Sequence, residues 1–163
     1  MGTIKLQWEE EDDFFLWGIR SSERDYRVAY LLNSGLDLAF EKCRDNVLNK
    51  TKKGSYEFSL FEFKPESGFS EWYLLSNVGQ GTNNATESIG LFGGDEIAEQ
   101  AYFLPSHKTF DYFIIVYGII TDEEIAKLHQ VCNRIAYFAK SEEIDPDSVP
   151  NKADLQNINY GNQ

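Results

Sequence analysis

The chain is poor in the residues that most often carry chemistry. It holds two cysteines, Cys43 and Cys132, and two histidines, His107 and His129, in 163 residues. Two distant thiols are too few for a disulfide framework or a thiolate metal cage, so both read as small buried apolar residues. No run reaches the roughly 20 apolar residues of a membrane span, and residues 1–8 lack the basic, apolar and small-residue pattern of a secretion signal. A cytoplasmic protein is expected, and Asn49-Lys50-Thr51 and Asn84-Ala85-Thr86 become chance matches to a glycosylation acceptor.

Cations are also scarce: 15 Lys and Arg stand against 27 Asp and Glu, a net charge of −12. Such a chain repels phosphate backbones and anionic headgroups, so neither direct nucleic-acid binding nor membrane binding is expected. The one basic cluster, Lys42, Arg44, Lys50, Lys52 and Lys53, is offset by Glu41 and Asp45 and reads as a solvated surface. The length fits one domain able to bury roughly two-thirds of its unfolded surface. Residues 1–147 are expected to form it, with 148–163 as a C-terminal tail.

What is present is a series of aromatic, β-rich runs. Residues 13–20, with Phe14, Phe15, Leu16, Trp17 and Ile19, predict a first strand, entered from a solvated acidic run at 9–13. Ser22 and Asp25 suggest a capping box for a helix over 23–34, with Gly35 as its stop. Residues 36–43 are a weak strand, and 45–54 a loop or polar turn of helix. The runs 55–64 and 69–78 flank Pro65-Glu66-Ser67-Gly68 and predict a hairpin. Apolar parity changes between Tyr56, Phe58, Leu60 and Phe61, Phe63, which places a bulge or strong twist near Leu60.

Residues 79–101 read as a long polar loop around the island Ile89-Gly90-Leu91-Phe92. A strand follows over 110–118. A capping box at Thr121 and Glu124 then opens a helix with a stripe of Ile125, Leu128, Cys132 and Ile135, and 136–144 is a last polar edge strand. The order predicts an α+β fold, a two-layer sandwich of mostly antiparallel sheet with two main helices.

The sheet is apolar on both faces. In the strand at 110–118, Phe110, Tyr112, Ile114 and Val116 share one parity, and Asp111, Phe113, Ile115 and Tyr117 the other. Each buried apolar side chain is worth about 1.5–3 kcal/mol, so an exposed aromatic face would forfeit several such contributions. A second copy in a homodimer is the expected cover. The 79–101 loop, the tail, a ligand, or a sheet coiled onto itself are the alternatives.

Recognised chemistry is sparse. Ser106, His107 and Asp111 do not make a triad, because neighbours in an extended segment point to opposite sides. His129 reads as a surface or boundary residue. Asp145-Pro146-Asp147 with Asn151 and Asp154 fails as a calcium loop because Val149 and Pro150 interrupt it. Gly79-Gln80-Gly81 and Gly93-Gly94 lack the spacing of a phosphate loop, so no cofactor is expected. Asp111 is the carboxylate that draws attention, since buried and unpaired it would cost several kcal/mol. It must sit at the wet end of its strand, cap backbone amides, or pair with a cation such as Arg20 or Arg27.

The segment Leu104-Pro105-Ser106-His107-Lys108-Thr109-Phe110-Asp111-Tyr112 resembles the signature of the IPExxxVDY family, small bacterial proteins found mainly in Bacteroidetes. Pro105, Asp111 and Tyr112 match it; Leu104, Ser106 and Phe110 stand in for Ile, Glu and Val. Asp25-Tyr26-Arg27 leading to Leu31-Leu32-Asn33, Tyr73-Leu74-Leu75-Ser76-Asn77, and Glu143-Ile144-Asp145-Pro146 are also similar to family segments. The resemblance implies a cytoplasmic bacterial protein and carries over no catalytic residue.

The leading expectation is a non-enzymatic binding or interaction module that self-associates, with an unidentified protein or small molecule as partner. Its candidate binding residues are Asp25, Tyr26, Arg27, Asn33, Asn77, Pro105, Asp111 and Tyr112. The alternative is a small-molecule enzyme using Asp111 as acid or base and Tyr112 as donor, with the 79–101 loop as lid. A third reading has this acidic chain work around RNA through a basic protein partner.

Overall fold

The computed structural model describes residues 14–52, 54–81, 100–150, 152–156 and 158; the acidic run at 9–13 and the Ile89–Phe92 island lie outside them. The expected α+β sandwich is what the chain builds. A six-stranded sheet has the spatial order β10-β1-β9-β6-β5-β2, formed by β1 (Phe14–Arg20), β2 (Glu41–Lys42), β5 (Leu60–Phe63), β6 (Ser70–Ser76), β9 (Tyr112–Gly118) and β10 (Lys140–Ile144). Every ladder in it is antiparallel. Its two main helices are α1 (Asp25–Leu36) and α2 (Asp122–Arg134).

The alternation of side chains along the strands splits the core in two. One face of β1 and β9 sends Phe15, Trp17, Ile19, Tyr112, Ile114 and Val116 under α1 and α2, where Val28, Ala29, Leu32, Leu128 and Cys132 meet them. The other sends Phe14, Leu16, Phe113 and Ile115 into a second cluster. Phe110 departs from the expected parity. It precedes β9 and packs with Phe113 in that second cluster, its ring filling the space a Cβ on Gly18 would take, 2.7 Å away.

The expected hairpin forms, and the expected twist is a fork. The chain leaves the large sheet at Ser59 and Asn77, so β4 (Gly54–Phe58) and β7 (Val78–Gly81) continue β5 and β6 into a four-stranded sheet of order β3-β4-β7-β8. Residues 45–54, read as a loop or polar turn of helix, supply its edge strand β3 (Val47–Thr51), and the end of the 79–101 loop supplies β8 (Ala101–Tyr102). This small sheet brings Tyr56, Phe58 and Phe103 over the second apolar face.

The segment read as a tail completes the cover. Pro146–Ser148 forms a 3-10 turn, Lys152–Gln156 the short helix α3, and Val149, Leu155 and Ile158 are buried in the second cluster. The second face is therefore covered from within the chain, and it makes no demand for a second copy.

Two details of α1 differ from expectation for local reasons. Ser22 does not cap it: Arg24 is the N-cap without a side-chain bond, while the Ser21 hydroxyl accepts the Glu23 N–H at 3.1 Å. Gly35 does not stop it either. It lies inside the helix where a Cβ would come 2.5 Å from Val131 Cγ1 of α2, and the left-handed stop is Asp37, at φ 58°. The capping box of α2 forms as read, with the Thr121 hydroxyl accepting the Glu124 N–H and Glu124 accepting the Thr121 N–H.

Candidate functional site

The Leu104–Tyr112 segment is held by Asn77, which is fully buried at the fork. Its Oδ1 accepts the Leu104 N–H at 2.7 Å; its Nδ2 donates to the carbonyls of Phe110, at 2.8 Å, and His107, at 3.1 Å. Its own N–H donates to the Asp111 carbonyl and its carbonyl accepts from Phe103. A side chain amide thus replaces the ladder where the strand bends, as buried polar groups require. Pro105 starts the 3-10 turn Pro105–His107 between these anchors and is exposed.

Asp111 satisfies backbone. Its Oδ2 accepts the Ser21 N–H at 2.8 Å and its N–H donates to the Ile19 carbonyl, which ties the entry of β9 to the end of β1. Neither Arg20 nor Arg27 pairs with it: the ion pair Arg27 makes is with Glu23, at 3.7 Å. Asn33 has the same kind of role, its amide spanning the N–H and C=O of Phe40 at 2.8 and 3.2 Å and closing the turn after α1. Tyr26 is 63% exposed and Arg27 lies over the rings of Tyr30 and Tyr137.

Of the eight sequence candidates, Asp25 and Tyr112 meet in a cleft of about 560 Å³. It opens where α1 begins, beside the fork. Tyr112 lines it with its hydroxyl donating to the Glu23 carbonyl at 2.6 Å. Burial above all, and then the carboxylates of Asp25, Asp111 and Glu23, holds its phenol well above the ordinary tyrosine range, so it is a donor and not a base.

The remaining walls come from residues not singled out in the sequence. Arg24 lines it next to Asp25 and makes no ion pair among the described residues. Lys42, Asn46 and Glu57 also line it, linked by hydrogen bonds: Lys42 Nζ donates to Asn46 Oδ1 at 2.6 Å and Asn46 Nδ2 to Glu57 Oε2 at 3.3 Å. Ser59, Ser76, Val78 and Gln80 line it from the bent hairpin. The parity change near Leu60, read as a bulge or strong twist, is the sequence signal that could have found them, since a strand that leaves its sheet opens a gap beside it.

Among the described residues no three His, Cys, Asp or Glu side chains converge to hold a metal, and no helix is long and apolar enough to cross a membrane. No family model matches the chain, and no curated protein and no solved structure matches it.

Proposed function

We propose that this chain is a non-enzymatic, self-associating binding module and that its cleft beside Tyr112 takes a small zwitterion, such as a free amino acid or a dipeptide. The observation that carries the reading is the charge balance of the walls. The lining holds two cations and two carboxylates, Arg24 next to Asp25 and Lys42 linked through Asn46 to Glu57, while Ser59, Ser76 and Gln80 add neutral hydrogen-bonding groups. A ligand bearing both signs finds a partner for each. A polyanion meets two carboxylates and an overall charge of −12.

The alternative, an enzyme working through Asp111 and Tyr112 under a 79–101 lid, has less support. Asp111 is spent on the Ser21 amide, and the Tyr112 hydroxyl is spent on the Glu23 carbonyl. Asp111 is also not among the residues that line the cleft.

Thermal unfolding in the presence of a panel of free amino acids and dipeptides tests the proposal. A ligand that binds only the folded state raises Tm in proportion to the logarithm of its concentration once saturating. A member of the panel should do so for the wild type and fail with Arg24→Glu and with Glu57→Lys. A panel that leaves the wild-type Tm unmoved removes the reading.

A further inference from the structure

We infer that the exposed stripe of α1 is a self-association surface, on which a second copy lies antiparallel across a two-fold axis and exchanges the Glu23–Arg27 ion pair. This deepens the self-association part of the function proposed above and is independent of the cleft ligand.

The stripe is built from spacing. Tyr26, Arg27 and Tyr30 share the face of α1 opposite the buried Val28, Leu32 and Leu36, and Glu23, just before the N-cap Arg24, pairs with Arg27 beside them. Tyr26 and Tyr30 are 63% and 60% exposed, and Tyr137, from the turn after α2, adds a third ring at 51%. Arg27 binds these rings into one surface, its guanidinium 5.9 Å from the Tyr30 centroid and 5.5 Å from that of Tyr137. Exposed tyrosine around a stacked arginine is the composition that concentrates binding energy at protein interfaces.

What selects a second copy is the self-complementarity of the charges. Glu23 and Arg27 pair within one chain at 3.7 Å, a long contact with both side chains partly in water. A two-fold interface sets residue i against j and j against i. A two-fold axis at the level of Asp25, the first residue of α1, brings each Arg27 to the partner's Glu23. Two chains of charge −12 repel over most of their surface. This stripe carries one cation and one anion, Arg27 and Glu23, so the repulsion is locally cancelled.

Charge exchange tests the register. Sedimentation equilibrium should find the wild type dimeric and both Glu23→Arg and Arg27→Glu monomeric, since each variant faces itself with like charges; circular dichroism checks that both remain folded. Mixing the two folded variants should restore a dimer containing one copy of each. A wild type that stays monomeric overturns the inference together with self-association. A dimer that both variants retain, or a mixture that yields no mixed dimer, overturns this surface and leaves the cleft reading untouched, because ligand-induced Tm shifts measure that separately.

Discussion

The Asn77 side chain amide donates to the Phe110 carbonyl at 2.8 Å across 33 residues of sequence, and the same amide accepts from Leu104. One residue therefore fixes both the bend that opens the cleft and the segment that places Tyr112 in it.

Replacing Asn77 with Ala should leave the Leu104 N–H and the Phe110 carbonyl unsatisfied inside the protein. Each such loss costs about 1–3 kcal/mol, so Asn77→Ala should destabilise the fold by roughly 3 kcal/mol in urea unfolding. A loss below about 1 kcal/mol would mean that water takes over the amide's bonds.

Gly35→Ala should destabilise, against the roughly 1 kcal/mol that alanine gains over glycine in a helix. The added Cβ would lie 2.5 Å from Val131 Cγ1, and a valine on a helix has little freedom to turn away. Val131→Ala in the same chain should return most of the loss. Equal stability of Gly35→Ala and wild type would show that the helices separate without cost.

Thr121→Ala removes the hydroxyl that accepts the Glu124 N–H and breaks the capping box of α2. A decrease of about 1 kcal/mol is expected in chemical denaturation.

Stability should fall at alkaline pH through the two buried thiols. Burial pushes Cys43 up to about 11 and Cys132 up to about 12, from an ordinary value of 9.0. Because the folded-state values are raised, the unfolded chain loses its protons first. The contribution is intact below pH 9 and declines from there towards pH 11 to 12, by up to about 1.4 kcal/mol per pH unit per thiol. A Cys132→Ala variant should show a shallower slope above pH 9; an unchanged slope would assign the alkaline loss to other groups.

The parts of this fold that could be read from the sequence are those decided locally. Phe14 to Arg20 and Tyr112 to Gly118 declared two-sided burial, and Thr121 with Glu124 declared a helix start. What could not be read depends on distant partners. Gly35 looked like a stop because nothing local reveals that Val131 crosses it. Residues 47–51 looked like a loop because their pairing with β4 exists only once β4 has left the main sheet at Ser59. The second apolar face suggested a dimer because the apolar residues that cover it, Val149, Leu155 and Ile158, are spaced among polar ones at the end of the chain.

The candidate site shows the same division. Asn33, Asn77 and Asp111 stood out as polar residues near apolar runs, and each is spent on backbone: a sequence does not distinguish an amide that clamps a turn from one that meets a ligand. Lys42 belongs to a basic cluster that reads as solvated surface, Arg24 and Glu57 to a predicted helix and a predicted strand, and only the fold brings them to one cleft.

The most direct test of the central claim is an amide chemical-shift titration of the isotope-labelled protein with the panel member that raises Tm most. The account predicts shifts confined to the residues that line the cleft, from Arg24, Asp25 and Tyr112 to Lys42, Glu57 and Gln80, abolished by Glu57→Lys with the rest of the spectrum preserved. Shifts elsewhere on the molecule, or the same shifts in the Glu57→Lys variant, would contradict it.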